Sequence, residues 1–352
     1  MRYHIVLSRN FNIESIISNA KIGKRPSHVM WDISKILNAS IYQPGTDVIV
    51  SSDIVRGKIV SRPEHWSLAR RLSSKLDNND LIFCAGEDVG FPIASLCCSG
   101  VKKPKILVFI HNINRPRTRL ALKLLNLRQK IDLFMTCTPL QGSFLRSYLN
   151  LSPERIRVFL EQPTDVSFFQ PGLSSNVKSR PLIASGGLEK RDYRTLADAT
   201  QDLDIDVEIS AVSPNAIFSK RAFPKIIPEN MRCRTHTWDE LLQLYRNSDV
   251  VAISLFQNKY QAGLTTMFEA LACKRPVIIT RSPGIIQEFI DLGAVTGVNP
   301  KDPQQLRQAI LSLLRSPNKA NLQAQIGYKL VSTKYNHRNY IKAFIKEIKS
   351  IT

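Results

Sequence analysis

No stretch of the 352-residue chain approaches the roughly 18–20 uninterrupted apolar residues of a membrane-spanning helix. The longest apolar runs, near 106–110 and 250–253, have strand length. The opening MRYHIVLSRN has no basic region followed by a long apolar run and a cleavage site. It is therefore expected to be a first buried strand rather than a secretory signal. Six cysteines (Cys84, Cys97, Cys98, Cys137, Cys233, Cys273) include no C-x-x-C spacing, and adjacent Cys97 and Cys98 make a poor template for zinc or a disulfide. Buried free thiols in a reducing, cytoplasmic setting are the expectation. The sequence also lacks H-E-x-x-H, His/Cys clusters and a convincing paired-Asp signature, so no metal is expected. Asp202-x-Asp204 reads as a turn between a helix and a strand. Short-period repeats and low-complexity segments are missing too.

What the chain has in excess is positive charge. Lys and Arg number 49 against 29 Asp and Glu, a formal net charge of +20. The part before Gly172 carries +11 and the rest +9, so this is no basic tail on a neutral body. Three partner classes fit such a balance: nucleic acid, an anionic membrane surface, or a small polyanionic ligand. Hydrophobic content of 43% and charged content of 22% are those of a folded protein.

Alternation of short apolar runs with helical periodicity organises both halves. Candidate strands are Tyr3–Ser8, Asp47–Ser51, Leu81–Cys84, Lys105–Ile110, Leu133–Thr136 and Ile156–Leu160. Between them lie a helix opening at Ser27 and running through Leu37, a helix over Trp66–Leu76, and a short turn at Ser152–Pro153. Residues 166–180, rich in Pro, Gly and Ser, read as a linker. A second series follows: strands Pro181–Ser185, Asp206–Ser210, Val250–Ser254 and Pro276–Thr280, with helices Tyr193–Thr200, Trp238–Arg246 and Thr266–Ala272. Helical stretches Asp302–Ser316, Lys319–Tyr335 and one near Arg338–Ile351 close the chain. The fold class is α/β, with two Rossmann-like doubly wound domains facing across a cleft. The expected boundaries are 1–165 for the first domain, 166–180 for the linker and 181–335 for the second domain. A terminal helix, 336–352, is expected to pack back on the first domain.

The densest chemical signal is YQAGLTTMFEALACKRPVIITRSPGIIQE, 260–288. A strand ends, a loop containing Gly263 follows, and a helix begins near Thr265–Thr266. Unpaired amides at a helix start, backed by the dipole, suit a diphosphate. Glu269 on that helix suits a ribose diol, because a carboxylate accepts two hydrogen bonds. The same spacing, Thr266-x-x-Glu269, also fits a capping box that would only satisfy backbone amides.

These residues resemble the nucleotide-sugar site of glycosyltransferase family 4, retaining enzymes of GT-B fold. That family carries Glu, seven residues, Glu, then Ala-Met-Ala-Cys-Gly-x-Pro-Val and a Gly-Gly-x-x-Glu turn. Here stand Gln261, seven residues, Glu269, Ala270-Leu271-Ala272-Cys273-Lys274-Arg275-Pro276-Val277 and, later, Pro283-Gly284-Ile285-Ile286-Gln287-Glu288. SGGLEKRDYRTL (185–196) is similar to the opening of the family's second domain, and the likeness extends from about Leu81 to the C-terminus. It implies that Glu269 holds the donor ribose and that Gln261 replaces a Glu lying against the donor sugar. It implies that Arg191 takes the place of a phosphate-binding Lys. Gly186 stands where an Arg is usual, so one customary cation is missing, and Lys190 is the candidate substitute. The expected donor set is Gly186, Gly187, Lys190, Arg191, Gly263, Leu264, Thr265, Thr266, Glu269, Pro283 and Gly284. No cofactor is expected beyond the nucleotide diphosphate sugar, which is the donor substrate.

In the first domain His111 ends a strand and resembles the family's His beside the donor sugar. Glu87 and Asp88, after another strand, are candidates to orient an acceptor hydroxyl, against the plain reading of solvated carboxylates. Ser27 and His28 begin a helix near the expected acceptor side, against a plain capping role. RPRTRLALKLLNLRQK (115–130) places Leu120, Leu124, Leu127 and, just beyond, Ile131 at helical spacing. Its cations include Arg115, Arg117, Arg119 and Lys123, with no acid between. Such a segment can lie on an anionic membrane, each cation near the surface contributing about 1 kcal/mol. It can equally be an ordinary helix with a hydrated polar face.

The expectation is a cytoplasmic, peripherally membrane-bound glycosyltransferase. Its donor is a nucleotide diphosphate sugar, its acceptor a lipid-linked or polysaccharide molecule, and retention is implied by the resemblance. Its catalytic residues are His111, Gln261 and Glu269. The absent Arg and the Gln at 261 keep open a catalytically weak, glycosyltransferase-like binding subunit. Charge alone motivates a nucleic-acid binder, which lacks a recognised module; no nucleic-acid partner is expected.

Overall fold

The computed structural model describes residues 1–98, 103–113, 116–159, 163–175, 178–211, 220–258 and 262–351. The chain divides into two compact units. The first comprises Met1–Ile17, His28–Leu160 and Ile341–Thr352; the second comprises Ser18–Ser27 and Glu161–Tyr340.

The first unit holds six parallel strands: β1 Arg2–Val6, β2 Ser40–Tyr42, β3 Asp80–Cys84, β4 Lys105–Ile110, β5 Leu133–Thr136 and β6 Ile156–Val158. They lie in the order β2-β1-β3-β4-β5-β6, with Val6 beside Cys84, Cys84 beside Val108 and Ile110 beside Thr136. Central strands read as unbroken apolar runs because helices bury both faces of a parallel sheet. Ile82, Ile106, Val108 and Phe134 share one core with Leu68, Leu72, Phe91 and Leu145 from the helices. Phe344 of the last helix meets Phe83 edge-on, with centroids 4.6 Å apart.

The second unit repeats the plan with β7 Leu182–Gly186, β8 Asp206–Ser210, β9 Met231–Arg234, β10 Val250–Ile253, β11 Val277–Thr280 and β12 Thr296–Val298. Its order is β12-β11-β10-β7-β8-β9, all parallel. Ala184, Val251, Ile253, Val277 and Ile279 enter one core, while Ile183, Val250, Ala252 and Ile278 enter another. Alternate residues of the same strands thus face opposite layers. Strand order reverses between β7 and β10, the topological switch point outside whose carboxyl ends such sheets bind ligands.

Several expectations are corrected. Asp47–Ser51 is not a strand; the chain there leads into a helix, Ser51–Ile59, and the edge strand is Ser40–Tyr42. Ser27 is not the cap of the helix Val29–Leu37; His28 occupies that position without a side-chain capping bond. The leucine stripe is broken, because Asn126 adopts φ +50° between helices Pro116–Leu124 and Leu127–Lys130. Leu127 and Ile131 are therefore buried, and Leu120 and Leu124 exposed. All six cysteines are free, but only Cys84, Cys97 and Cys273 are buried; Cys233 is exposed on β9. Strands β9 and β12 and the helices Ile13–Lys21, Glu87–Cys97, Pro139–Leu149 and Ile285–Asp291 were not expected from pattern.

Candidate active site

At the switch point of the second unit β7 ends in Ser185–Gly186, and Gly187 turns the chain with φ +86°. A side chain at Gly187 would put its Cβ 2.6 Å from Arg191 Nη2. Only glycine allows both the turn and the closeness. Tyr193, fully buried, donates from its hydroxyl to Gly187 O at 2.5 Å. The following loop is stitched to the end of β10: Asp192 N–H donates to Ser254 O and Phe256 N–H to Lys190 O, each at 2.9 Å. Asp192 then caps the helix Tyr193–Thr200 through Thr195.

Arg191 is held beneath this turn with 4% exposure. Its Nε donates to Gly186 O at 2.6 Å, Nη1 to Glu189 O at 2.9 Å and Nη2 to Thr266 Oγ1 at 2.9 Å. Three of five guanidinium N–H groups are thus engaged among the described residues. Lys190 is exposed, with φ +55°.

Opposite the turn stands the helix Leu264–Ala272, whose N-cap is Gly263 at φ +89°. Its first bond runs from Met267 N–H to Gly263 O at 3.0 Å. The amides of Leu264, Thr265 and Thr266 therefore have no intrahelical acceptor, and Thr265 is exposed. The helix begins at Leu264, not at Thr265–Thr266, so Thr266 is its third residue and cannot be an N-cap. The capping-box alternative fails on that geometry. Thr266 Oγ1 instead faces Gly186 O and Arg191.

Glu269, the sixth helical residue, is 8% exposed. Tyr245 donates its hydroxyl proton to Oε2 at 2.9 Å, while Oε1 has no hydrogen-bond partner among the described residues. Burial pushes the Glu269 carboxyl up to about 7, opposed by the Tyr245 hydrogen bond and the Arg191 charge. Tyr245 lies on the buried face of the helix Trp238–Asn247 among apolar neighbours; nothing in its sequence context marks it. Pro283 and Gly284 form an exposed turn after β11, with Ser282 buried beside them. Gln261 lies outside the described residues. A cavity of about 360 Å³ lined by Arg25, Asp165, Phe168, Asp239 and Arg246 also belongs to this unit, but shares no residue with the site.

In the first unit the carboxyl ends of β1, β3 and β4 bring Ser8, Glu87, Asp88 and His111 together. His111 is exposed; its ring Nε2 donates to Ala85 O at 2.8 Å, and its backbone N–H donates to Glu87 Oε2 at 2.9 Å. Since a carbonyl only accepts, Nε2 carries the proton. Asp88 Oδ1 accepts from Ser8 Oγ at 2.7 Å. Glu87 and Asp88 are thus not merely solvated: each holds a neighbour in place. His65, a residue the sequence reading passed over, is buried near Asp88, and burial lowers its pKa.

Other expected residues are dispersed. Ser27 donates from its N–H and Oγ to Asp165 Oδ2, at 2.8 and 3.0 Å, within the second unit. His28 falls in the first unit, its ring 5.9 Å from Phe11. Arg115 lies outside the described residues. Arg117 and Lys123 are exposed, and Lys123 Nζ sits 4.4 Å over the Tyr148 ring. Arg119 is half-buried, bonded to Ile113 O and stacked 4.4 Å over Phe144.

Residues 186–316, which hold the turn, Arg191, the helix tip and Glu269, match the family model described as glycosyl transferases group 1. The chain is a glycosyltransferase. Its fold agrees: it is similar to a sucrose-phosphate synthase from Thermosynechococcus elongatus, with 14% identity, a TM-score of 0.75, and coverage of 100% of this chain and 99% of that one. It is similar to Anabaena HepE in complex with UDP and glucose, with 13% identity, a TM-score of 0.73, and 99% and 100% covered. It is likewise similar to an α,α-trehalose-phosphate synthase (UDP-forming) from Burkholderia vietnamiensis, with 13% identity, a TM-score of 0.73, and 99% and 98% covered. No curated protein matches the chain. The likenesses at 13–14% identity are likenesses of fold, and that fold is GT-B.

Proposed function

We propose that this glycosyltransferase takes its sugar from a uridine diphosphate sugar and transfers it with retention to a lipid-linked or polysaccharide acceptor beside an anionic membrane. The observation that carries the donor half is the pairing of Glu269, with one carboxylate oxygen unpartnered, and the open amide tip at Leu264–Thr266. A ribose diol donates to the first and a diphosphate accepts from the second. The buried charge of Arg191, coupled to the tip through Thr266, adds to the helix dipole where the leaving diphosphate gains negative charge. Lys190, Pro283 and Gly284 border the same ligand. The UDP base is supported by the UDP and glucose complex of HepE and the UDP-forming trehalose-phosphate synthase.

His111, with Nδ1 left over by the Ala85 bond and its backbone held by Glu87, is the first unit's candidate catalytic group. By the resemblance, Gln261 stands in place of a Glu and offers a neutral amide rather than a carboxylate. The acceptor half rests on the formal charge of +20, which an anionic surface would offset. The test is a panel of nucleotide sugars scored by thermal stabilisation. A ligand at 100 times its dissociation constant adds about 2.7 kcal/mol. UDP-sugars should stabilise the chain most, and NMR of the glycoside formed should show the donor's anomeric configuration kept. A panel without response would overturn the donor assignment, and an inverted product the retention. Binding without any transfer or hydrolysis would favour the weak binding subunit that Gln261 and Gly186 suggest.

A further inference from the structure

The stretch DVIVS, 47–51, has the composition of a buried strand, yet Val48 is 80% exposed and Ile49 and Val50 are exposed beside it. On the helix that follows, Ser51–Ile59, the outward face carries Ile54, Val55 and Ile59, with Val55 60% exposed. Six branched aliphatic side chains within twelve residues face solvent, a grouping a soluble surface avoids unless something covers it.

The exposure is built in. Arg71 pairs with Asp47 at 2.5 Å, and Arg70 donates to Val48 O at 2.6 Å and to Asp53 Oδ2 at 2.9 Å. Asp53, fully buried, also accepts from Val50 N–H at 3.0 Å. Polar groups therefore anchor the inner side of the loop and turn its aliphatic groups out, the reverse of ordinary amphipathic packing.

Charge selects the occupant. Asp53 is the only acid between Val48 and Arg62, and it is buried and paired, whereas Lys58 and Arg62 are exposed. A second copy joined by a two-fold axis would set these cations near their own counterparts. An anionic lipid surface accepts both the aliphatic groups and the cations.

We infer that Val48–Ile59 is the element this chain inserts into an anionic bilayer surface, with Val48, Ile49, Val50, Ile54, Val55 and Ile59 entering the acyl boundary and Lys58 and Arg62 meeting the headgroups. The inference rests on the membrane reading above and assigns it to a surface other than the helix Pro116–Leu124.

Flotation of the full chain with phosphatidylglycerol–phosphatidylcholine vesicles, and with phosphatidylcholine alone, tests it. The wild type should float with the anionic vesicles only. Val48→Ser with Val55→Ser should weaken partitioning on the order of tenfold per side chain, and Leu120→Ser with Leu124→Ser should leave it nearly unchanged. Lys58→Glu should reduce it further at low salt. These positions are exposed, so urea midpoints should not move; Ile54→Ser serves as a second variant if the pair fails to fold. Loss in the Leu120/Leu124 variant with retention in the Val48/Val55 variant would overturn this inference and keep the membrane reading. A wild type that floats with neither vesicle would overturn both. A dimer in sedimentation that Val48→Ser with Val55→Ser converts to monomer would overturn the lipid occupant.

Discussion

Replacing Glu269 by Gln separates the function of this carboxyl from its cost. In the folded chain the group is held at about 7, against 4.5 when free, with burial the main cause. Below pH 4.5 it is protonated in both folded and unfolded states and costs nothing. As pH rises from 4.5 to 7 the unfolded chain loses this proton first, so the native state loses stability. Above 7 the full penalty, about 3 kcal/mol, is present. Gln keeps the shape and still accepts from the Tyr245 hydroxyl, 2.9 Å away in the wild type, but does not titrate. Urea unfolding of the two proteins between pH 4.5 and 8.5 should show the stability difference moving in favour of Glu269→Gln by about 3 kcal/mol, all other titrations cancelling in the comparison. A difference that stays flat with pH would refute the reasoning, as would a variant that loses ground as pH rises.

Tyr245→Phe removes a hydrogen bond that favours the ionised carboxylate, so the Glu269 pKa should rise above about 7 and the acid limb of donor binding should move to higher pH. A binding profile unchanged in pH would count against that. Gly187→Ala forces a side chain into φ +86° and against Arg191 Nη2; chemical denaturation should register a loss of about 1–3 kcal/mol. In the first unit, buried Asp80 is held at about 2 against its burial by Arg2, the Asp77 amide and His4. Its stabilisation is present above pH 3.8 and lost as pH falls through 2. Asp80→Asn should therefore lower stability near neutrality by about 1–2 kcal/mol, allowing for solvent around Arg2, and flatten the acid limb of unfolding.

Central strands were legible in the sequence because burial on both faces leaves nothing but apolar residues, as in β4 and β5, whose limits match the runs KILVFI and LFMT. The edge strands β9 and β12 were not: β9 buries only Met231 of MRCR, and β12 has three residues. DVIV failed for the opposite reason. It has the composition of a buried strand, but Arg70 and Arg71, twenty-odd residues on, hold it outside the sheet. The leucine spacing in 120–131 concealed a left-handed Asn126 that splits the face in two. At the site, Gly263 and Glu269 could be named in advance from the loop and helix that carry them, and Gly187 and Arg191 through the resemblance of 185–196. Tyr245, 24 residues before Glu269, and Ala85 O, 26 before His111, enter only through the fold.

The central claim is that the reversal point of the second sheet holds a nucleotide diphosphate sugar by Glu269 and the amide tip at Leu264–Thr266. Calorimetric titration of UDP into the wild type and Glu269→Gln at pH 8 tests it most directly. The account predicts saturable binding to the wild type and a loss on the order of a hundredfold in the variant, the size expected for two charge-assisted hydrogen bonds. Equal affinity in the two proteins would contradict it.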